Sequence, residues 1–265
     1  MSRYRYVILD PTGNLTALVL DPAPPADRAA LTRELLKQSE QVAYLEAPRS
    51  PGAAAGIRLM GGEFCGNAAM ASAAWLMRDE PADGGEKAFL LDVSGTAEPV
   101  PCAVRKTESG FEGTVRMPGV PLIREEILCG RRFTVVRMEG ITHLVYEGGP
   151  LEKGEAEALL RGIAARRGEE AAGLMQWNRE TREMLPLVYV RGSGSLVWEH
   201  GCGSGSAAVG ALEAVRRGDG VSVTPVSQPG GTIRVSAEAA GGEIRGLSIS
   251  GRIRLGQESA VEIPS

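Results

Sequence analysis

The chain has 265 residues, of which 43% are hydrophobic and 23% charged, and its formal net charge is −4. This length and composition are those of an ordinary globular protein with a substantial core, and the interspersed charges exclude a basic nucleic-acid-binding surface. No stretch approaches the roughly 20 apolar residues that span a bilayer, and residues 1–10 lack the apolar region and cleavage site of a signal peptide. We therefore expect a cytoplasmic protein with reduced cysteines and with neither nucleic-acid nor membrane partners.

The first half of the chain is predicted to alternate strands with two helices. Hydrophobic alternation and turn-forming residues predict strands at 4–9, 15–20, 41–46, 87–92, 97–105 and 111–117. A helical pattern follows Asp27 and covers 29–38. The run at 68–77 is almost entirely apolar, so we expect a buried helix there.

The second half repeats this plan. Strands are predicted at 132–138 and 141–146, within 187–198 and 224–236, and at 246–254, with helices at 151–166 and 206–216. An internal repeat of this kind predicts two lobes facing each other across a cleft. The expected boundary gives an N-terminal lobe of 1–118 and a C-terminal lobe of 119–265, with the last strand free to return to the first lobe.

A cysteine precedes a run of small residues twice, at 60–75 and at 198–213. In each copy the cysteine, Cys65 or Cys202, is followed by glycine, a small polar residue and an alanine-rich segment with strong helix propensity. A helix that begins just after the cysteine directs its N–H groups and positive dipole end at the sulfur. Because this environment lowers a thiol pKa, we expect two reactive thiolates, one in each half.

The other cysteines and the histidines argue against several alternative sites. Cys102 and Cys129 are interpreted as small buried hydrophobes. A zinc site or a thioredoxin-type centre would need a Cys-x-x-Cys pair or clustered histidines, so no metal ligand is predicted. His200 could form a protease-like dyad with the nearby Cys202, but a second matching cysteine would then have no role. We interpret His200 as a surface or turn residue.

Proton transfer on opposite faces of one carbon would use both cysteines. A thiolate removes the proton, a thiol returns one from the other side, and the two exchange roles in the reverse reaction. The N–H groups after each cysteine would bind a substrate carboxylate and stabilise the charge that develops on it. These groups belong to Gly66, Asn67, Gly203 and Ser204. No pyridoxal-lysine or nucleotide-binding motif occurs, so no cofactor is required.

Six short segments, spread over nearly the whole chain, carry a family resemblance. They are Asp10-Pro-Thr-Gly-Asn14, Glu40-Gln-Val42, Gly62-Glu-Phe-Cys-Gly-Asn-Ala68, Leu196-Val-Trp-Glu199, Cys202-Gly-Ser-Gly205 and Gln228-Pro-Gly-Gly231. Together they resemble the diaminopimelate epimerase superfamily of cofactor-independent two-cysteine amino-acid racemases, and within it the histidine racemases of opine-type (staphylopine-like) metallophore biosynthesis. The resemblance implies an α+β fold of two pseudo-symmetric lobes, each a β-barrel-like sheet around a central helix.

The resemblance also implies roles for individual residues near the reacting carbon. Cys65 and Cys202 match the acid/base pair, and the two residues after each cysteine match the backbone that binds the carboxylate. Asn14 and Gln41 match substrate-site positions near the α-carbon. Without the resemblance, Asn14 would be interpreted as a residue that shapes its turn.

Two acidic residues are further candidates for substrate contact. Glu199 is expected to meet the substrate amine or to hold the cysteine loop, and a solvated strand-end carboxylate is the alternative. Glu40 is expected to meet a polar or cationic side chain such as imidazole, and a surface charge at a helix end is the alternative.

Departures from the superfamily pattern concern the far end of the substrate. Diaminopimelate epimerases resembling this chain have Glu-Arg-Gly closer to the second cysteine, and that arginine grips the distal carboxylate. Here Arg191 lies eleven residues before Cys202, three more than in that pattern, and Val190 replaces the glutamate. A second carboxylate would be poorly held, which favours a smaller amino acid, with histidine first.

The sequence therefore predicts an isomerase, an amino-acid racemase that converts L-histidine to D-histidine for opine metallophore biosynthesis. Its partner would be a small amino-acid substrate. A homodimer is a possible oligomeric state. The enzymatic alternatives are diaminopimelate epimerase and a racemase of another amino acid. The non-enzymatic alternative is a thiol redox sensor or binding protein on the same fold.

Overall fold

A computed structural model describes residues 1–82, 85–120, 122–192 and 194–264. Over these residues the chain has an α+β fold with 16 strands and four helices, which confirms the predicted fold class. Within the same ranges no helix has both the length and the apolar character needed to cross a membrane. Two compact units divide the chain: an N-terminal unit of Met1–Arg116 with Ser250–Ser265, and a C-terminal unit of Met117–Ile249.

The N-terminal unit is a sheet whose strands follow one another in chain order. Its strands are β1 (Ser2–Pro11), β2 (Thr16–Val19), β3 (Gln41–Glu46), β4 (Ala55–Leu59), β5 (Glu86–Val93), β6 (Val100–Thr107) and β7 (Gly110–Arg116), and its helices are α1 (Pro25–Leu35) and α2 (Gly66–Leu76). The chain's last strand, β16 (Glu243–Ile263), neighbours both β7 and β1. The strand order therefore closes on itself, as in a barrel.

Small residues bury α2 against this sheet. Residues 66–75 of the helix are all buried, as the apolar run predicts. A Cβ added at Gly113 of β7 would lie 3.1 Å from Met70 Cβ, so the missing side chain lets the helix approach the strand. Helix α1 packs elsewhere on the unit, where Leu31 and Leu35 join a cluster with Val42.

The C-terminal unit has the same kinds of elements. Its strands are β8 (Leu122–Leu128), β9 (Arg131–Met138), β10 (Ile141–Tyr146), β11 (Ala171–Asn178), β12 (Glu183–Val190), β13 (Ser195–Trp198), β14 (Gly220–Gln228) and β15 (Gly231–Ala240), and its helices are α3 (Lys153–Arg167) and α4 (Gly203–Arg217). The order is β8-β9-β10-β11-β12-β14-β15-β16, and β13 pairs with β12. Helix α4 is buried at 203 and 205–214, whereas α3 packs through Leu160 and Ile163 against a separate hydrophobic cluster.

The predicted elements are confirmed where a local pattern is strong and incomplete where it is weak. Strands 41–46 and 141–146 have the predicted bounds. Strand β11 was not predicted because Ala171-Ala-Gly-Leu-Met-Gln-Trp-Asn178 has little β propensity. Its pairing with β10 on one side and β12 on the other makes it a strand.

The two remaining cysteines differ from each other. Cys102 is buried as predicted, and burial raises the pKa of its thiol to about 12. The prediction for Cys129 is wrong, because this residue is exposed. Cys129 and Gly130 form the two-residue turn between β8 and β9, and both have positive φ values. A tight hairpin turn of this kind projects into solvent.

Candidate functional site

Cys65 lies at the junction between a glycine-rich loop and α2. It is the N-cap residue of the helix, with φ −136° and ψ 111°, and its sulfur accepts the Ala68 N–H at 3.5 Å. The loop before it packs closely against Gly95, where a Cβ would lie 2.3 Å from the Phe64 nitrogen. The side chain is partly buried. The helix start predicted at this cysteine is present, with Gly66 and Asn67 as its first two residues.

An amide network joins four predicted substrate-site residues of the N-terminal unit. Asn14 Nδ2 donates to Glu40 Oε2 at 3.0 Å, and Asn14 Oδ1 accepts from Gln41 Nε2 at 2.7 Å and from Asn67 Nδ2 at 3.3 Å. Gln41 Nε2 also donates to Thr16 Oγ1 at 2.7 Å. Strands β2 and β3 are parallel with Thr16 opposite Gln41, which explains the meeting of residues far apart in sequence. Asn14 is the centre of this network, and Asn67 connects it to the helix start at Cys65.

Cys202 occupies the equivalent position on α4. It is the N-cap residue with φ −93° and ψ 106°, its sulfur accepts the Gly205 N–H at 3.3 Å, and Ser204 Oγ lies 3.7 Å away. Gly203 and Ser204 are the first residues of the helix. The sulfur-to-N–H contact three residues ahead is thus the same as at Cys65.

The surroundings of Cys202 raise the pKa of its thiol by more than the helix start lowers it. Only 4% of the residue is exposed, and this burial raises the pKa of its thiol well above the ordinary value. The charge and hydrogen bond of Glu199 raise that pKa further, and the Gly205 N–H and the Ser204 hydroxyl lower it by less. The prediction of a lowered pKa is therefore wrong for Cys202, because desolvation disfavours the thiolate more than the helix stabilises it.

Close packing around the cysteine loop accounts for this burial. A Cβ added at Gly205 would lie 2.2 Å from Met175 Sδ and 3.1 Å from Cys202 Sγ, so the thioether packs directly beneath the cysteine loop. A Cβ at Gly173 would lie 2.3 Å from His143 Nδ1. His143 is completely buried, and burial lowers its pKa from 6.5 to about 3, which keeps the imidazole neutral.

Gln228 and Ser206 hold the backbone of Cys202, and neither was predicted as a site residue. The Cys202 N–H donates to Gln228 Oε1 at 2.7 Å, Gln228 Nε2 donates to Ser206 Oγ at 2.8 Å, and Ser206 Oγ donates to the Cys202 carbonyl at 2.7 Å. The signal was present in the segment Gln228-Pro-Gly-Gly231, which contributed to the family resemblance without receiving a role. Next to it, the exposed His200 accepts the Gly230 N–H through its carbonyl, which confirms the prediction of a surface or turn residue.

Arg191 is engaged within its own unit. Its guanidinium donates from Nε to the Glu169 carbonyl at 3.0 Å and from Nη2 to the Ala164 carbonyl at 2.9 Å. Ser193 of the Arg191-Gly-Ser-Gly segment lies outside the described residues. The arginine therefore stabilises the C-terminal end of α3, where unpaired carbonyls favour cations.

No group of three or more His, Cys, Asp or Glu side chains within the described ranges could hold a metal ion. Each cysteine lies next to helix N–H groups of the kind that bind a carboxylate.

Comparison with known proteins gives consistent matches over almost the whole chain. A family model described as the histidine racemase CntK N-terminal domain matches residues 3–261. The histidine racemase of Staphylococcus aureus (strain Mu50 / ATCC 700699) is 27% identical over 249 residues, which cover 86% of each protein. The diaminopimelate epimerase of Xanthomonas axonopodis pv. citri (strain 306) is 31% identical over 259 residues, which cover 88% of each protein.

Solved structures show the same fold at low identity. A hydroxyproline epimerase from Agrobacterium vitis, with bound trans-4-OH-L-proline, superposes with a TM-score of 0.74 at 14% identity, covering 99% of this chain and 93% of the other. A predicted epimerase from Pseudomonas aeruginosa superposes with a TM-score of 0.68 at 17% identity, covering 99% and 100%.

Proposed function

Because the chain belongs to the histidine racemase CntK N-terminal domain family and is an amino-acid racemase, we propose that it interconverts L- and D-histidine by moving the α-proton between Cys65 and Cys202. The observation that carries the mechanism is the repeated local geometry. Each cysteine caps a buried helix, and each sulfur accepts the N–H of the third residue after it. A single acid or base would need one such cysteine, whereas separate groups on opposite faces of one carbon require two.

The proposed reaction begins with the substrate carboxylate at the helix starts, on the N–H groups after the cysteines. The thiolate of Cys65 takes the α-proton, so that the C–H bond breaks and an S–H bond forms. The electron pair spreads into the carboxylate, where the helix N–H groups stabilise it. The Cys202 thiol then gives its proton to the opposite face of the carbon and becomes the thiolate. The reverse reaction restores the starting state.

The raised pKa of Cys202 supports its role as the protonated cysteine before the proton leaves the substrate. A buried sulfur that keeps its proton in the resting enzyme is ready to deliver it when a carbanion forms nearby. Glu199, which interacts with this sulfur, raises its pKa. We assign Glu199 to the cysteine loop, with the substrate amine as its second contact.

Histidine is proposed as the substrate because of Glu40. The Asn14 amide holds its carboxylate, and Gln41 and Asn67 hold Asn14 in turn. An imidazole N–H is a suitable donor to a carboxylate fixed in this way. The rival substrate, diaminopimelate, carries a second carboxylate that needs a cationic anchor. Arg191 does not supply that anchor in this arrangement, because carbonyls of the α3 region occupy its guanidinium.

Deuterium exchange separates these substrates. The enzyme is incubated in D2O with L-histidine, D-histidine, LL-diaminopimelate or hydroxyproline separately, and α-deuterium uptake is followed by NMR. We expect uptake and inversion with both histidine enantiomers. Uptake with diaminopimelate alone would instead establish the rival activity, which the 31% identity to a diaminopimelate epimerase supports. No uptake with any amino acid would favour a thiol sensor or binding protein.

Glu40→Gln tests the histidine subsite within the same assay. The amide keeps the shape of the side chain but loses the charge, so we expect the KM for histidine to rise about tenfold. Alanine or serine exchange, if present, should not respond to this substitution. An unchanged KM for histidine would remove Glu40 from the substrate site.

We further propose that the D-histidine enters opine-type metallophore biosynthesis in the cytoplasm, where the two thiols stay reduced. Cells lacking the protein should stop secreting the metallophore under metal starvation, and added D-histidine should restore it. We propose that no cofactor takes part. Full activity after dialysis and hydroxylamine treatment would support this, and loss of activity restored by pyridoxal phosphate would contradict it.

A further inference from the structure

Three buried hydrogen bonds form a closed ring around Cys202. The donors and acceptors alternate: the Cys202 N–H donates to the Gln228 amide oxygen, the Gln228 amide nitrogen donates to the Ser206 hydroxyl, and that hydroxyl donates to the Cys202 carbonyl. Ser206 is fully buried and Gln228 is 91% buried. The ring therefore holds the two peptide groups on either side of one Cα atom.

Only a side chain with both an acceptor and a donor at its end completes this ring. The Ser206 hydroxyl has one hydrogen, which it uses on the Cys202 carbonyl, so the hydroxyl must receive a hydrogen from residue 228. The Cys202 N–H must donate to the same residue. A glutamine amide meets both needs at once, and a carboxylate meets only the second.

We propose that Gln228 is a positioning residue that sets the direction of the Cys202 sulfur for proton transfer. The inference rests on the proposed acid/base role of Cys202. Fixing both peptide groups leaves little rotation at Cys202, and the contact of Gly230 with the His200 carbonyl anchors the same turn to the same loop. A misplacement of about 1 Å at a reacting group can cost on the order of 100-fold in rate.

Gln228→Glu is the diagnostic substitution. When its carboxyl is protonated, its O–H can donate to Ser206 and its C=O can accept from Cys202, which completes the ring. When the carboxyl ionises, it has no hydrogen to donate, and the Cys202 carbonyl loses its partner. Burial raises the pKa of such a carboxyl. The activity of the variant relative to wild type should therefore be near 1 at low pH and fall about 10- to 100-fold as the pH rises through that pKa.

The wild type and the Gln228→Glu variant share the other titratable groups near the ring. Glu199 interacts with the Cys202 sulfur from its own loop, and His200 on that loop accepts the Gly230 N–H through its carbonyl. Glu183 on β12 lies opposite Ser227, and the buried His143 next to Gly173 stays neutral. Dividing the variant rate by the wild-type rate at each pH removes the titrations that the two proteins share, and the uncharged Gln228→Leu variant described below opens the ring without adding a charge beside Cys202. A purely structural defect would lower the ratio without a pH-dependent step.

Gln176→Glu is the matched control. Gln176 is also more than 90% buried, lies within β11 and lines the same cavity of about 720 Å³ as Gln228, but its amide oxygen accepts from the Leu151 N–H. It therefore receives the same chemical change without touching Cys202. We expect the rate of this variant relative to wild type to show no step with pH.

A second readout does not depend on turnover. Iodoacetamide labels the cysteines, and mass spectrometry gives the Cys202 rate relative to Cys65 in the same molecule. Gln228→Leu and Ser206→Ala should each raise this ratio several-fold, and the double variant should add little, because either change opens the ring. If the wild type racemises no amino acid but the ratio changes as described, the proposed function fails and the ring stands as a structural clamp on Cys202.

The inference is overturned by either of two results. One is a Gln228→Glu ratio that stays flat with pH while racemisation is intact. The other is an unchanged labelling ratio in Gln228→Leu and Ser206→Ala folded to the wild-type extent by circular dichroism.

Discussion

Gly205→Ala should damage the Cys202 site through packing alone. The added Cβ would lie 2.2 Å from Met175 Sδ and 3.1 Å from Cys202 Sγ. Carbon and sulfur atoms in contact are separated by roughly 3.5–4 Å, so the thioether must move by more than 1 Å. Because Cys202 Sγ also lies closer to the added methyl group than an ordinary contact allows, the cysteine loop has to shift as well.

The size of the effect follows from the two consequences of overpacking. Inserting a methyl group into a packed core costs about 1–3 kcal/mol, and each kcal/mol lowers Tm by about 2–4 °C in a protein of this size. A displaced sulfur should in addition lower kcat for histidine racemisation about 10- to 100-fold, since the reacting geometry is set within fractions of an ångström.

Gly210→Ala separates the loss of stability from the loss of kcat. Its Cβ would lie 2.3 Å from Val235 Cγ1, so the same helix is overpacked to a similar degree but two turns away from the sulfur. We expect a comparable fall in Tm, measured by calorimetry, with kcat per folded molecule close to wild type. Met175→Ala combined with Gly205→Ala frees the space taken by the thioether and should recover much of the lost kcat.

Racemisation of histidine at the wild-type rate by Gly205→Ala would contradict this prediction, since the sulfur would then tolerate the displacement. An equal loss of kcat in Gly210→Ala would contradict it as well, because the loss would then report general damage to α4.

Three further predictions concern the thiols and the buried titratable groups. Cys65→Ser and Cys202→Ser should each lower racemisation by at least about 100-fold, with the exposed Cys129→Ser as a control at the wild-type rate; near-normal turnover in either single variant would exclude the two-base mechanism. Glu199→Gln removes a charge that raises the pKa of Cys202. In the absence of substrate, the pH at which alkylation of Cys202 reaches half its maximal rate should therefore fall. An unchanged midpoint would show that burial alone raises this pKa. The pKa of His143 is about 3 in the folded protein, whereas its ordinary value is 6.5. As the pH falls below about 6.5, this imidazole takes up a proton in the unfolded protein but not in the folded one, so the folded state loses stability. This loss is about 2 kcal/mol between pH 7 and pH 5; urea unfolding should show it in wild type, and an equal loss in His143→Gln would disprove its origin in this imidazole.

The site could be predicted in part because much of it is local in sequence. A cysteine followed by glycine and a run of alanines encodes a capped helix start within about five residues, and both helices begin there. The buried character of α2 follows in the same way from its apolar composition. The partners of Asn14 could not be obtained from pattern, because Glu40 and Gln41 reach it when β2 and β3 pair and Asn67 reaches it from the start of α2.

The sequence by itself determined the α+β class, most of the strands and both helix starts at cysteine, because these depend on propensity, periodicity and capping within short segments. Only the tertiary structure showed that the pKa of Cys202 is raised and that Gln228 hydrogen-bonds to its backbone. Burial of Cys202 involves Met175, which lies on a strand distant from the cysteine in sequence, and a hydrogen-bond ring exists only when its members meet. Burial and hydrogen-bond partnership are properties of an assembled interior, so no window of sequence around Cys202 contains them.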